Sequence, residues 1–227
     1  MGFLVNSFIE FPETSFSPDD ISGLTAWYDM SDISTITKDG SNRVSQVDDK
    51  ASSFDLKQTT ANRQPLWVSA DQNGLDVLSF DDSARELVAD SATITAQPLT
   101  MVVAYLTGVQ GTQNNLYGAG CDYYDFVNGV SNDHRMYAGT VLNVNYVLSS
   151  VWNQLTNIYN GSSSIMRSNQ VQRGTGEAGS SAQSNLTVGQ DNNGSMKLGE
   201  LLCYDSALSG DDLEEIETYL KDKWDTA

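Results

Sequence analysis

A long apolar strand that runs almost directly into one short amphipathic helix is the feature that most restricts this 227-residue chain. Residues 196–205 alternate too little for a half-exposed strand and read as one buried on both faces. A break at residues 206–210 follows, and residues 211–224 then place Leu213, Ile216, Tyr219, Leu220 and Trp224 at the spacing of one helical face. Ser209 stands where an N-cap is needed. Asp211 and Asp212 put negative charge at the positive end of the helix dipole, and Lys221 and Lys223 put positive charge at the other end. A single helix with one apolar face must be buried on a sheet, so the chain is expected to end as a strand closing a β-sandwich and a helix capping it.

Composition agrees with that end. Only 39% of residues are hydrophobic, and Ser, Thr, Asn, Asp, Gln and Gly outnumber good helix formers, which suits short strands joined by polar turns. The length fits one sandwich better than two small domains. The formal charge of -18 would repel a phosphate backbone, so nucleic acid is excluded as a partner. The acidity itself reads either as a solubility trait or as acidic loops that hold Ca²⁺ or meet a basic partner. Cys121 and Cys203 have no metal-ligand spacing and are either buried thiols or one disulfide. The single histidine, His134, has no second ligand near it in sequence, which argues against zinc.

Residues 1–17 form an apolar arm distinct from a sandwich domain over residues 18–227. Phe3, Val5, Phe8, Ile9 and Phe11 would either add a strand to the domain's own sheet or anchor it to another subunit, which would make the assembly a homo-oligomer. The N-terminus lacks a basic n-region and a cleavage site, and no stretch is long enough to span a membrane. Synthesis in a cytoplasm without export is the expectation. Residues 21–32 alternate as a strand, and residues 36–50 read as a hairpin turning at Asp39-Gly40. Further strands are expected at 66–68, 77–80, 86–88, 99–106, 115–119, 134–137, 154–159, 165–167 and 184–190.

Several of these segments, in order, carry a family resemblance. Ile21-Ser22-Gly23-Leu24, Ala26-Trp27-Tyr28-Asp29 and Ser31-Asp32 are followed by Asp48-Asp49-Lys50, Asn62-Arg63-Gln64-Pro65 and Gly74-Leu75-Asp76-Val77. Leu99 to Ala104, Trp152 with Leu155 and Tyr159-Asn160-Gly161, and Gly199-Glu200-Leu201-Leu202 with Tyr204-Asp205 complete the series. Together they resemble concanavalin A-like, laminin G-like modules of the kind found in bacteriophage structural proteins. The resemblance implies an all-β, two-sheet antiparallel jelly-roll sandwich with one short C-terminal helix. Together with the missing export signal it implies a virion surface or decoration protein, made in the host cytoplasm and joined to capsid or tail proteins. Host-surface glycans would be a further partner. The alternative is a carbohydrate-binding module or adhesin.

Catalytic chemistry is not expected. The paired-carboxylate spacing Glu-x-Asp-x-x-Glu is absent, Glu200 and Asp205 are expected on opposite faces, and Asp122 and Asp125 read as solvated loop carboxylates. No nucleophile elbow, phosphate loop or zinc motif occurs. Ca²⁺ is the one cofactor with candidate ligands, at Asp81, Asp82, Asp191 and Asn192, although the last two also suit a plain turn. Sugar recognition needs aromatic faces beside amides and carboxylates, and Tyr117, Tyr123, Tyr124, Asp122, Asp125 and Asn128 form the best such cluster. Trp27, Trp67, Trp152 and Trp224 are expected in the core.

Overall fold

The computed structural model describes residues 16–81, 85–89, 96–107, 113–118, 122–128, 131–146, 151–182, 185–189 and 196–227. The chain is all-β with one C-terminal helix, and its strands form two antiparallel sheets. The first sheet runs in the order β15 (Val171–Gly176), β14 (Ser164–Ser168), β13 (Asn153–Tyr159), β8 (Leu99–Thr107), β17 (Met196–Tyr204), β6 (Leu75–Phe80) and β5 (Leu66–Gln72). Beside β6, β1 (Leu24–Asp29) pairs with the far end of β17. The second sheet runs β12 (Val141–Asn145), β11 (Ser131–Tyr137), β10 (Asp122–Asn128), β9 (Gln113–Gly118), β16 (Thr187–Val188), β7 (Leu87–Val88), β4 (Leu56–Lys57), β3 (Val44–Val47) and β2 (Ile36–Lys38).

One apolar cluster fills the space between the sheets. It takes Met101, Val103 and Tyr105 from β8, Leu201 and Cys203 from β17, and Leu116, Met136 and Val144 from the second sheet. A second cluster lies on the outer face of the first sheet, where Val102, Ala104, Leu202 and Tyr204 meet Ile216, Leu220 and Trp224 of α1 (Gly210–Trp224). The central strands β8 and β17 are therefore apolar on both faces, as a doubly covered strand must be. Trp224 is fully buried and stacks on Trp152 with ring centroids 5.9 Å apart. Trp27 and Trp67, expected in the core, are only half-buried, and each lies beneath a lysine, Lys50 and Lys38 respectively.

The hairpin of β2 and β3 turns through Asp39, whose carboxylate accepts from the backbone amides of Ser41 and Arg43. Ser209 occupies the N-cap position of α1 without a side-chain bond to the helix. Cys203 is buried as a free thiol, and desolvation pushes its pKa up to about 12. The arm residues Phe3, Val5, Phe8, Ile9 and Phe11, together with Cys121, lie outside the described residues.

Register shifts interrupt the first sheet at several places, and two of them re-aim charged side chains. In β17, Leu198 pairs with Tyr105 and Glu200 with the adjacent Ala104, so Gly199 is an extra residue. Before it Met196 and Leu198 face the intersheet core; after it Leu201 and Cys203 do, and Glu200 is turned to the helix side. In β15, Met166 pairs with Gly174 and Arg167 with Gln172, which leaves Arg173 opposite no residue.

Candidate functional site

Two polar constellations stand out, one closed and one open. The closed one is built around Glu200, whose side chain is wholly buried beneath α1. Its Oε1 accepts from Trp27 Nε1 at 2.7 Å and from the Tyr219 hydroxyl at 2.9 Å. Its Oε2 accepts from Trp224 Nε1 at 2.8 Å and pairs with Lys223 Nζ at 2.8 Å. Lys223 spends its remaining donors on Asp29 Oδ2 at 2.8 Å and on the Tyr219 oxygen at 3.1 Å. Lys50 extends the network, 3.6 Å from Asp29 and 3.0 Å from Asp32.

Desolvation raises the pKa of Glu200, and the nearby Asp29 charge adds to the rise against the opposing pull of Lys223 and the Trp224 bond. Asp29 and Glu200 are thus two carboxylates flanking one position, which in outline resembles a hydrolytic pair. The ammonium of Lys223 fills that position, and four donors saturate Glu200. The arrangement clamps β1, β17 and α1 together. Paired only with Asp205, five positions on, Glu200 carries no signal in sequence; the bulge at Gly199 and the amphiphilic Trp27 and Trp224 are what make it a hub.

The open constellation lies on the second sheet. In β11 and β12, His134, Met136 and Val144 are buried inward, so the alternating positions Arg135, Tyr137, Val141, Asn143 and Asn145 face out. Arg135 stands opposite Asn143 and Tyr137 opposite Val141 in the register. Val141 is 47% exposed, Asn143 and Asn145 are exposed, and Tyr137 and Arg135 are half-buried. An aromatic ring, an aliphatic side chain, two amides and a guanidinium therefore share one sheet face, a set suited to a sugar's apolar face and hydroxyls.

The residues expected from sequence to contact sugar lie in β10, the strand beside β11, and in β9. Asp122, Tyr123, Tyr124, Asp125 and Asn128 all lie in β10, so Asp122 and Asp125 are strand residues and not loop carboxylates. The register sets Tyr124 opposite Arg135 and Asp122 opposite Tyr137, while Tyr123 and Asp125 stand opposite the inward Met136 and His134. Tyr117 is a correction. It is 1% exposed, with its hydroxyl 3.2 Å from that of Tyr159 and accepting from Asn157 Nδ2 at 2.8 Å, so its ring fills the interior and offers no stacking surface. Sequence reading missed Asn143 and Asn145 because β12 does not announce itself as a strand, and Tyr137, at the end of an expected strand, had no visible partner without it; the alternation in Val141-Leu142-Asn143-Val144-Asn145 is the available signal.

Of the Ca²⁺ candidates, Asp81 is ion-paired with Arg85, while Asp82, Asp191 and Asn192 lie outside the described residues. Among the described residues no group of three or more His, Cys, Asp or Glu side chains is arranged to hold a metal. No described helix is long and apolar enough to cross a membrane.

No family model matches the chain. No curated protein matches it in sequence. Solved structures do share its fold. Trypanosoma rangeli sialidase superposes with a TM-score of 0.62 at 13% identity over 91% of this chain and 34% of the sialidase. The binding domain of Paraclostridial Mosquitocidal Protein 1 gives 0.60 at 12% identity over 91% of this chain and 53% of that one. An α-L-arabinofuranosidase soaked with a cyclic sulfate inhibitor gives 0.58 at 11% identity over 78% and 50%. The chain thus spans about a third of the sialidase and about half of the other two. At these identities the likeness establishes the β-sandwich fold. The expectation of a bacteriophage surface or decoration protein is corrected: these neighbours are a sialidase, an arabinofuranosidase and a binding domain, and none of them indicates a virion protein.

Proposed function

We propose that the protein is a carbohydrate-recognition module without hydrolytic chemistry of its own, and that it binds glycans across the outer face of β11 and β12 and the adjoining β10. The observation that carries this reading is the outward row of Tyr137, Val141, Asn143 and Asn145, an aromatic and amide surface in which Val141, Asn143 and Asn145 are exposed and Tyr137 is half-buried. The names of the fold relatives, a sialidase, an arabinofuranosidase and a binding domain, favour sugar over other ligands. The closed constellation supports a module that does not hydrolyse, because Lys223 occupies the space between Asp29 and Glu200.

Binding of the purified protein to an array of neutral and acidic oligosaccharides tests the reading, with Tyr137→Ala run in parallel and its thermal midpoint checked. The expected result is selective binding that Tyr137→Ala weakens about tenfold, a loss of about 1.4 kcal/mol. An array without signal, or a variant that keeps the full pattern, would remove this face from consideration.

A further inference from the structure

Arg173 is the extra residue of the β15 bulge, and bulges re-aim side chains. The strand can press against β12 here because Gly174 and Gly176 leave room: an added Cβ at Gly174 would collide with Val144, and one at Gly176 would lie 3.3 Å from Leu142. Arg173 is thereby laid over Tyr146, its guanidinium carbon 3.9 Å from the ring centroid, and Nη2 donates to the Tyr146 hydroxyl at 2.9 Å. The ring of His134 lies 5.9 Å beyond Tyr146. Nε is enclosed and has no acceptor among the described residues.

The surroundings make this unusual. Acidic residues outnumber basic ones thirty to twelve, and Arg43, Arg63, Arg85 and Arg167 each hold a carboxylate, from Asp39, Glu86, Asp81 and Glu217 respectively. Among the described residues no carboxylate lies within ion-pair distance of Arg173. A guanidinium that is backed by an aromatic ring, fixed by one hydrogen bond and left without a counter-ion keeps its remaining Nη donors for an anion from outside. Tyr146 directly follows Asn145 but, like Leu142, packs against the intersheet core, so this fork lies at the rim between the sheets, on the inner side of β12.

We propose that Arg173 anchors the carboxylate of an acidic sugar, a uronic acid or related sugar acid, at the rim where β12 meets β15. The assignment rests on the glycan-binding reading and names the ligand class. Tyr146 acts as a positioning residue that holds the guanidinium flat. Tyr137 faces outward from β11 whereas Arg173 lies against the inward-packed Tyr146, so the contact at Arg173 is separate from the outward row and a single sugar acid suffices to engage it.

The test follows the arginine Nε–Hε NMR resonances while the whole protein is titrated with sodium glucuronate, glucose or sodium sulfate. Arg173→Lys assigns the resonance, and its thermal midpoint reports folding. The expected result is that the Arg173 resonance moves with glucuronate but not with glucose, and that Arg173→Lys and Arg173→Gln bind a glucuronate-containing oligosaccharide about tenfold more weakly or worse. A resonance unmoved by glucuronate overturns the assignment, even if neutral oligosaccharides still bind through Tyr137 and leave the broader reading intact. An equal response to sulfate and glucuronate also overturns it, in favour of a general anion site. A response to glucuronate in a protein whose array signal ignores Tyr137→Ala supports Arg173 and sinks the face assigned to Tyr137.

Discussion

The bulges at Gly199 and at Arg173 use the same backbone device and end in opposite electrostatic states. Each inserts one residue into a strand of the first sheet and re-aims a charged side chain, Glu200 in one case and Arg173 in the other. Glu200 meets four donors under a helix, and its charge is answered within the protein. Arg173 meets an aromatic face and one hydroxyl at the rim between sheets. A buried charge that is fully answered binds elements together, whereas a fixed charge left open at an edge is free to bind something else. Saturation, more than burial or residue type, separates structural from functional readings here.

The largest effect is expected at the closed bulge. Glu200→Ala leaves two indole N–H groups and a phenol O–H without their acceptor and Lys223 with Asp29 as its remaining counter-ion, and should lower unfolding free energy by about 3–5 kcal/mol in urea titrations. A loss under about 1 kcal/mol would mean the network contributes no cohesion. Gly199→Ala places a Cβ 2.8 Å from the Trp224 ring, which should cost about 1–3 kcal/mol and alter tryptophan emission as α1 is displaced.

The pH dependence of that same bulge has a defined sign. The folded-state pKa of Glu200 is raised, so the folded protein holds this proton more tightly than the unfolded chain does. Between the unfolded value near 4.5 and the raised folded value, the contribution of this group to stability therefore grows as pH falls and is lost as pH rises through the folded pKa. Glu200→Gln removes the dependence. The difference in urea midpoint between the two proteins should shift toward the wild type on acidification; a difference that stays flat across that window would show that Glu200 does not titrate there.

At the open bulge the effects on stability are smaller. Arg173→Gln forfeits a cation–π contact and one hydrogen bond, about 1 kcal/mol, in contrast to the Glu200 variants. On the sheet face Tyr137→Ala should stay within about 0.5 kcal/mol of the wild type while weakening glycan binding. A Tyr137 variant that unfolds readily would instead make that residue part of the scaffold, and the contrast between closed and open regions would blur.

The sequence is most legible where local signals and burial agree. The final strand and helix are expected at 196–205 and 211–224 and run Met196–Tyr204 and Gly210–Trp224, because apolar runs, dipole charges and spacing all point one way. The hairpin at Asp39 is equally plain. β10, β12 and β15 escape notice, since Asn, Asp, Gly and Gln disguise edge and outward positions as turns. Tyr117 misleads for a related reason: a tyrosine with a buried hydroxyl partner looks the same in sequence as one that faces solvent. The bulges leave no local trace, and the roles of Glu200 and Arg173 stay hidden with them.

The place of β17 in the first sheet has a consequence for biosynthesis. It lies between β8 and β6 and also pairs with β1, so strands from the beginning and middle of the chain are joined only through a segment near its end. A ribosome that has delivered the residues before Met196 has released a chain whose principal sheet lacks its middle strand. Closure of that sheet must then wait for Met196–Tyr204 to be inserted, which makes its central pairings ones of long sequence separation and slow formation.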